Sequence, residues 1–367
     1  MRLPIGTVGL ATLLHVREIS GSIAFAGLVV GTQLAASAIA APVIGRWMDR
    51  RGPRGALLVT GIVSPLALGL MLGAGALGLS RPAVLAVAVV AGAFVVPITM
   101  LVRTLWRMRL PDGPARQTAF ALDAVLLELA YTLGPLAIAL AVALASTTAA
   151  MGVALAFSAT AVPLLFASGA LRWWEQQPPV ARHWLGPLTT RGLLGVYAVT
   201  FALTTAFGAL EVGYPAFGRA SGVDIWGPVL IAVNSIGSAL GGLVYGGVTF
   251  RVPLARILPW LMVAMALPIA LHLPVGSPWL LAPLAFVAGA LIAPAMTTVS
   301  LLVSTLAPAR YATEAFTWSS TAIVLGVGTG MAAGGALVEH FGPAGAFGLA
   351  LAAALAASTL ALSLTRR

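Results

Sequence analysis

Two carboxylates, Asp123 and Glu128, lie inside a stretch, 117–144, that is otherwise free of charge. An ionisable side chain within an apolar run is costly, and by default it marks a functional position. Glu128 comes about eleven residues into the run, which in a helix is roughly 16 Å from its start. A carboxylate at that depth could carry a proton or attract a cationic solute. Asp123 stands about 140° away around a helical axis, so the two acids do not share one wall. Either could instead pair with an arginine for structure alone. Glu211, just before Tyr214 and Pro215, could line a vestibule or sit at a solvated helix end. Gln33 and Asn234, each in the middle of an apolar run, could hydrogen-bond a solute or join neighbouring helices.

These residues need a frame, and composition says what kind. Of 367 residues, 60% are hydrophobic and only 8% charged, with a mean hydropathy of +1.02. Soluble chains average about 25% charged residues. So small a charged fraction supplies no solvated shell, and a lipid bilayer must face most of the surface. The net charge of +10 comes from arginines alone, with no lysine. They fall in short gaps between apolar runs, without the zinc-ligand spacing, basic helix or aromatic platform of a nucleic-acid binder, so nucleic acid is excluded as a partner. With no cysteine there are no disulfides, thiolate metal sites or cysteine nucleophiles. His15, His183, His272 and His340 are scattered, and no nucleotide-binding loop is present. No metal, no cofactor and no enzymatic role is expected; an enzyme acting on lipid-linked substrates would need a cluster of acids and histidines at one face.

Apolar runs of spanning length predict an all-α integral membrane protein with twelve transmembrane helices. They cover 3–17, 22–45, 55–79, 82–106, 117–144 and 147–170, then 191–216, 225–248, 254–273, 278–306, 313–337 and 343–364. The first is shorter than the roughly 20 residues a span needs. It reads as a retained first helix, either stunted or preceded by a true start further upstream. The polar interval 171–190 holds Trp173, Trp174, Gln176 and Gln177 and reads as a linker between six-helix bundles at 1–170 and 191–367. With the N-terminus inside, only Arg17, Arg81 and Arg219 of the 20 arginines face outward. That bias puts both termini in the cytoplasm of a multi-pass protein of the cell (inner or plasma) membrane. The halves also echo one another. Gly31 and Gly227, Gly45 and Gly241, Phe120 and Phe316, and Gly134 and Gly330 are each 196 residues apart. Two six-helix repeats with a substrate site at their interface is a recurring transporter plan.

Between the second and third runs stands Gly45-Arg46-Trp47-Met48-Asp49-Arg50-Arg51-Gly52-Pro53-Arg54. Gly45, Asp49, Arg50, Gly52 and Arg54 match the signature loop of the major facilitator superfamily, which this chain resembles; Pro53 and Trp47 depart from the usual residues. Gly45 permits close helix approach and Gly52 a tight turn. The resemblance implies that Asp49 meets the N-terminal end of the eleventh helix, whose dipole favours an anion. It would act as a latch that breaks when the cytoplasmic side opens; the alternative is an ordinary charged turn. The second-half stretch 241–250 lacks the Asp and the arginines, so only one half is expected to carry the latch. Gly134-Pro135 resembles the Gly-Pro element of the family's exporters, although Ala130, Ile138 and Ala139 replace its flanking glycines; a plain proline kink is the other reading. Arg103 reads as an interfacial arginine, and Glu314 as a helix-start acid or a gate participant.

The expected function is secondary active transport of a small-molecule substrate by alternating access, by a monomer, as proton-coupled export. Nutrient import on the same fold is the alternative, and a non-transporting receptor or scaffold a further one.

Overall fold

The computed structural model describes residues 2–175, 185–223, 225–249 and 252–365. The middle of the expected linker, together with Arg182, His183, Arg251, Arg366 and Arg367, lies outside the described residues. Fourteen α-helices follow one another, with no strand among the described residues. They are α1 Leu3–Ser20, α2 Ile23–Arg51, α3 Pro53–Leu72, α4 Arg81–Ala93, α5 Ile98–Arg109, α6 Pro114–Leu144 and α7 Thr147–Ala167. Then come α8 Arg191–Ala220, α9 Trp226–Gly247, α10 Leu254–His272, α11 Pro278–Ala290, α12 Ile292–Leu306, α13 Ala312–Phe341 and α14 Pro343–Thr365.

Among the described residues, eleven segments are long and apolar enough to cross a membrane. The eighteen-residue α1, which carries Arg17 and Glu18, is not one of them. With α1 the number of long helical segments reaches twelve. Two of them, expected as unbroken helices, are in fact broken. Arg81–Arg109 divides into α4 and α5, and Pro278–Leu306 into α11 and α12. Prolines account for both breaks. Pro97 and Pro294 have no N–H to offer the carbonyls of Ala93 and Ala290, and Pro97 also disfavours helical geometry in Val96. Helix α2 also runs further than expected, through Arg51, so Asp49 and Arg50 stand on its last turn and not in a loop. Gly52 stops the helix with φ 80°, a value that L side chains rarely adopt, and Pro53 starts α3 at once.

Backbone contacts divide the chain into two compact units. The first comprises Met1–Arg109, Leu129–Ala181 and Ala309–Thr317; the second comprises Leu110–Glu128, Arg182–Pro308 and Trp318–Arg367. Helices α6 and α13 therefore contribute to both. Inside the first unit α1 packs on α2 and α7, α4 on α2 and α3, and α3 on α7. Inside the second, α8 packs on α9 and α14, α11 on α9 and α10, and α10 on α14. These are the same pairings, shifted by six spans.

Small residues set the packing distance in both units, because apolar helices in lipid gain little from the hydrophobic effect and depend on close backbone approach. A Cβ on Gly92 of α4 would stand 2.0 Å from the Gln33 carbonyl oxygen of α2. A Cβ on Gly289 of α11 would stand 2.0 Å from the Asn234 carbonyl oxygen of α9. Likewise Gly134 of α6 lies against Gly6 of α1, and Gly330 of α13 against the Thr205 carbonyl of α8. In the glycine series of α13, Gly326 and Gly330 pack closely on α8, whereas Gly328 and Gly335 face open space.

Candidate functional site

The last turns of α2 place Gly45, Arg46 and Asp49 on one face, since residues three and four apart are helical neighbours. That face meets the first turn of α13 within the first unit. Asp49, buried, accepts hydrogen bonds from the backbone N–H of Thr313 (3.0 Å) and of Glu314 (2.8 Å). The first N–H groups of a helix have no partner within it and sit at the positive end of its dipole, so a carboxylate satisfies both demands. Arg46 then reaches Glu314, donating from Nε to Oε1 at 3.1 Å and forming a second, shorter contact from Nη2. Glu314 is fully buried, and its Oε2 has no hydrogen-bond partner. Gly45 makes this approach possible, because a Cβ there would stand 2.7 Å from both Cγ2 and Oγ1 of Thr317. Arg50 and Arg54 lie on the exposed surface flanking the turn.

The second unit holds a different seam, where the first half of α6 runs along α9. Gln117, Thr118, Ala121, Val125 and Glu128 of α6 face Tyr245, Gly246, Gly242 and Ser238 of α9 and Val248 just past its end. Gly242 and Gly246 bring the helices together, each with Cβ space only 2.8 Å from a side chain of Val125 or Ala121. At one end of the seam Glu128 accepts a hydrogen bond from Ser238 Oγ, 3.3 Å from its Oε2, and Ser235 hydrogen-bonds the same carboxylate. Glu211 of α8 lies within electrostatic reach of Glu128. Two acids on different helices thus share one neighbourhood. Asp123 is wholly buried, one and a half turns before Glu128 on α6.

Asn234 of α9 belongs to a buried polar cluster. It donates to the Ala285 carbonyl (3.0 Å) and to the Tyr214 hydroxyl (3.4 Å), and Tyr214 in turn contacts His272 Nε2 at 3.2 Å. The His272 ring also reaches the Pro268 carbonyl through Nδ1 at 2.6 Å. Tyr214 and His272 were not singled out as a pair in the sequence; their distance of 58 residues hides the contact. Gln33 of α2 is equally buried in the first unit. Pro135 sits within a continuous α6, just after the Gly134 contact with α1. Among the described residues, no group of three His, Asp or Glu is placed to hold a metal ion.

Known proteins supply the context for this geometry. The family model described as Major Facilitator Superfamily matches residues 4–270. No curated protein matches the sequence. Solved structures resemble it throughout their length. A bacterial homologue of the iron transporter ferroportin, in an outward-facing state, superposes with a TM-score of 0.80 at 12% identity, covering 100% of this chain and 96% of that one. The human organic anion transporter MFSD10 (TETRAN) gives 0.71 at 16% identity, covering 98% and 95%. The Escherichia coli fucose:proton symporter FucP gives 0.72 at 10% identity, covering 99% and 96%. Identities this low speak to fold alone, and the folds agree. The match to the family model extends over most of the sequence: this chain is a member of the major facilitator superfamily, a multi-pass membrane protein with a transporter's fold.

Proposed function

We propose that the chain is a proton-coupled secondary transporter that exports small molecules by alternating access, with residues 1–170 and 191–367 acting as two bundles joined by 171–190. The observation that supports it best is Glu128, a carboxylate within a spanning helix, hydrogen-bonded by Ser238 across the α6–α9 seam. A carboxylate there exchanges a proton for a cationic solute on the same oxygens, which is the stoichiometric core of antiport. Glu211 adds a second acid to the neighbourhood. The arginine-rich ends of α2 and α5 lie in the cytoplasm with both termini, in the plasma or inner membrane, and the unit of transport is the monomer. In this reading Asp49 and Glu314 hold the cytoplasmic end shut and release when it opens.

Inverted vesicles carrying the protein, energised with an inward-acid pH gradient, test both coupling and direction. Uptake of a fluorescent lipophilic cation such as ethidium should follow the gradient and vanish in Glu128→Gln. Uptake that persists in that variant removes the coupling role. Accumulation only in right-side-out vesicles reverses the direction and makes the protein an importer.

A further inference from the structure

His15 of α1 and Glu211 of α8 are 196 residues apart, the spacing that relates the two halves, so each half carries a titratable side chain at this position. Leu72 of α3 and Pro268 of α10 are a second pair at that spacing, and the backbone carbonyl of each meets a histidine. His15 Nε2 lies 3.1 Å from the Leu72 carbonyl oxygen, and His272 Nδ1 lies 2.6 Å from that of Pro268. A carbonyl only accepts, so in both cases the ring nitrogen that meets it carries the hydrogen. The remaining nitrogens differ. That of His272 meets the Tyr214 hydroxyl at 3.2 Å. That of His15, Nδ1, is buried and has no hydrogen-bond partner. Thr12 Oγ1, one turn earlier on the same face of α1, is also buried and unpartnered. Buried polar atoms without partners are rare in folded proteins, and two on one helix face point to something they both bind. We propose that Thr12 and His15 form a proton-binding site in the first unit, the counterpart of Glu211 in the second.

The chemistry follows from which nitrogen is engaged. With the Nε2 hydrogen held by Leu72, the lone pair of Nδ1 is where the ring can take a proton. The ring then becomes an imidazolium, and its new Nδ1–H donates to Thr12 Oγ1, directly or through one water. Long side chains on a helix lean over the turn before them, which carries the His15 ring towards Thr12. Leu72 is the last residue of α3, so its carbonyl belongs to the negative end of that helix dipole, which favours a cation. Few other charges compete. Helix α7 carries no titratable residue, those of α2 (Arg46, Asp49, Arg50 and Arg51) gather at its far end, and α3 has Arg54 at its start. Arg17 and Glu18 follow on α1 itself, with Glu18 hydrogen-bonded by Thr147, and Arg81 of α4 lies over the Phe25 ring. Histidine is the side chain whose ordinary titration falls near neutral pH, which suits it to a coupling proton.

The use of this site rests on the proton-coupled reading, but its existence is tested without transport. Histidine labelled with a heavy nitrogen isotope is incorporated, and NMR of the protein in lipid nanodiscs reads both ring nitrogens; the His15 signals are those lost in His15→Gln. Between about pH 8 and about pH 5, Nδ1 should pass from bare to protonated while Nε2 stays protonated throughout. Thr12→Val keeps the side chain's shape and removes the acceptor. It should move the midpoint about one pH unit to the acid side, the loss of one hydrogen bond to a charged group. Thr12→Ser, which keeps the hydroxyl, should restore the parent midpoint. The proposal falls if His15 Nδ1 stays bare across that range, or if Nε2 is the nitrogen that titrates. It also falls if Thr12→Val and Thr12→Ser titrate alike, because the hydroxyl then plays no part. In inverted vesicles His15→Gln, whose amide can still donate to Leu72, should make uptake depend less steeply on lumenal acidity; an unchanged steepness overturns the coupling role of the site. If uptake by the parent ignores the gradient while Nδ1 titrates as described, the proton-coupled reading fails and the site stands.

Discussion

The α2–α13 contact and the α6–α9 seam are built on one register and closed by different chemistry. In the first, a buried carboxylate caps a helix start and an arginine meets a buried glutamate. In the second, an amide and a hydroxyl cover the carbonyls at a helix end. Glycines at Gly45, Gly242 and Gly246 do the same work in both, since close backbone approach comes before any hydrogen bond across the crossing. The geometry of a repeat is thus kept by small residues, whereas its polar chemistry changes freely once each buried backbone group finds a partner. The difference also makes the α2–α13 contact depend on charge, whereas Gln117 and Thr118 act without any.

The largest effects are expected where the two repeats are alike. Gly92→Val and Gly289→Val each drive a side chain into a carbonyl at 2.0 Å, and each should cost about 3 kcal/mol of stability or more, read as loss of the folded fraction in detergent melts. Unequal costs would show that the two crossings are not equivalent.

Next come changes confined to the charged contact. Arg46→Met leaves buried Glu314 without its cation and should cost about 2–3 kcal/mol, less than a wholly buried pair because Arg46 is partly exposed. Arg46→Met combined with Glu314→Gln should recover most of that loss in a double-mutant cycle; additive losses would mean the pair does not interact. Asp49→Asn should destabilise the closed contact by about 2 kcal/mol, since hydrogen bonds to a charged group are the stronger kind. That loss should exceed the one caused by Gln117→Leu in the same detergent melts, and the reverse order would undo the contrast between the two contacts.

Smaller again is Ser238→Ala, about 1 kcal/mol, which removes a donor to Glu128 and should shift the pH dependence of transport more than its maximal rate. The smallest effect is expected where the repeats differ in packing. Gly31 faces open space, whereas a Cβ on Gly227 would stand 2.7 Å from Pro215 Cα. Gly31→Ala should therefore raise stability by about 0.5 kcal/mol through helix propensity, and Gly227→Ala should lower it.

Much of this was legible from residue types and spacing. Asp49 could be singled out because one acid among several arginines, preceded by Gly45 and followed by Gly52, is an unusual grouping with a few physical uses. Glu128 could be singled out because charge in an apolar run is rare. Arg46 and Glu314 could not be joined, since 268 residues separate them and each alone looks like an ordinary helix-end charge. Gln117 and Thr118 were overlooked for a related reason. Neutral polar residues at a helix start are common, and their backbone partners carry no sequence signature at all.

The sequence by itself determined that the chain lives in lipid, how many long apolar segments it has and that it contains a repeat, because hydrophobic length and glycine placement are properties of single segments. Where helices break was not legible in the same way: Pro97 and Pro294 interrupt runs whose apolar pattern reads as continuous, while Pro42, Pro65 and Pro135 stay inside unbroken helices. Tertiary structure alone decided which polar groups meet. Hydrogen bonds such as those of Asp49 with α13 and Gln117 with α9 depend on which helix ends are brought together, and a backbone N–H or carbonyl is the same in every residue that could have supplied it.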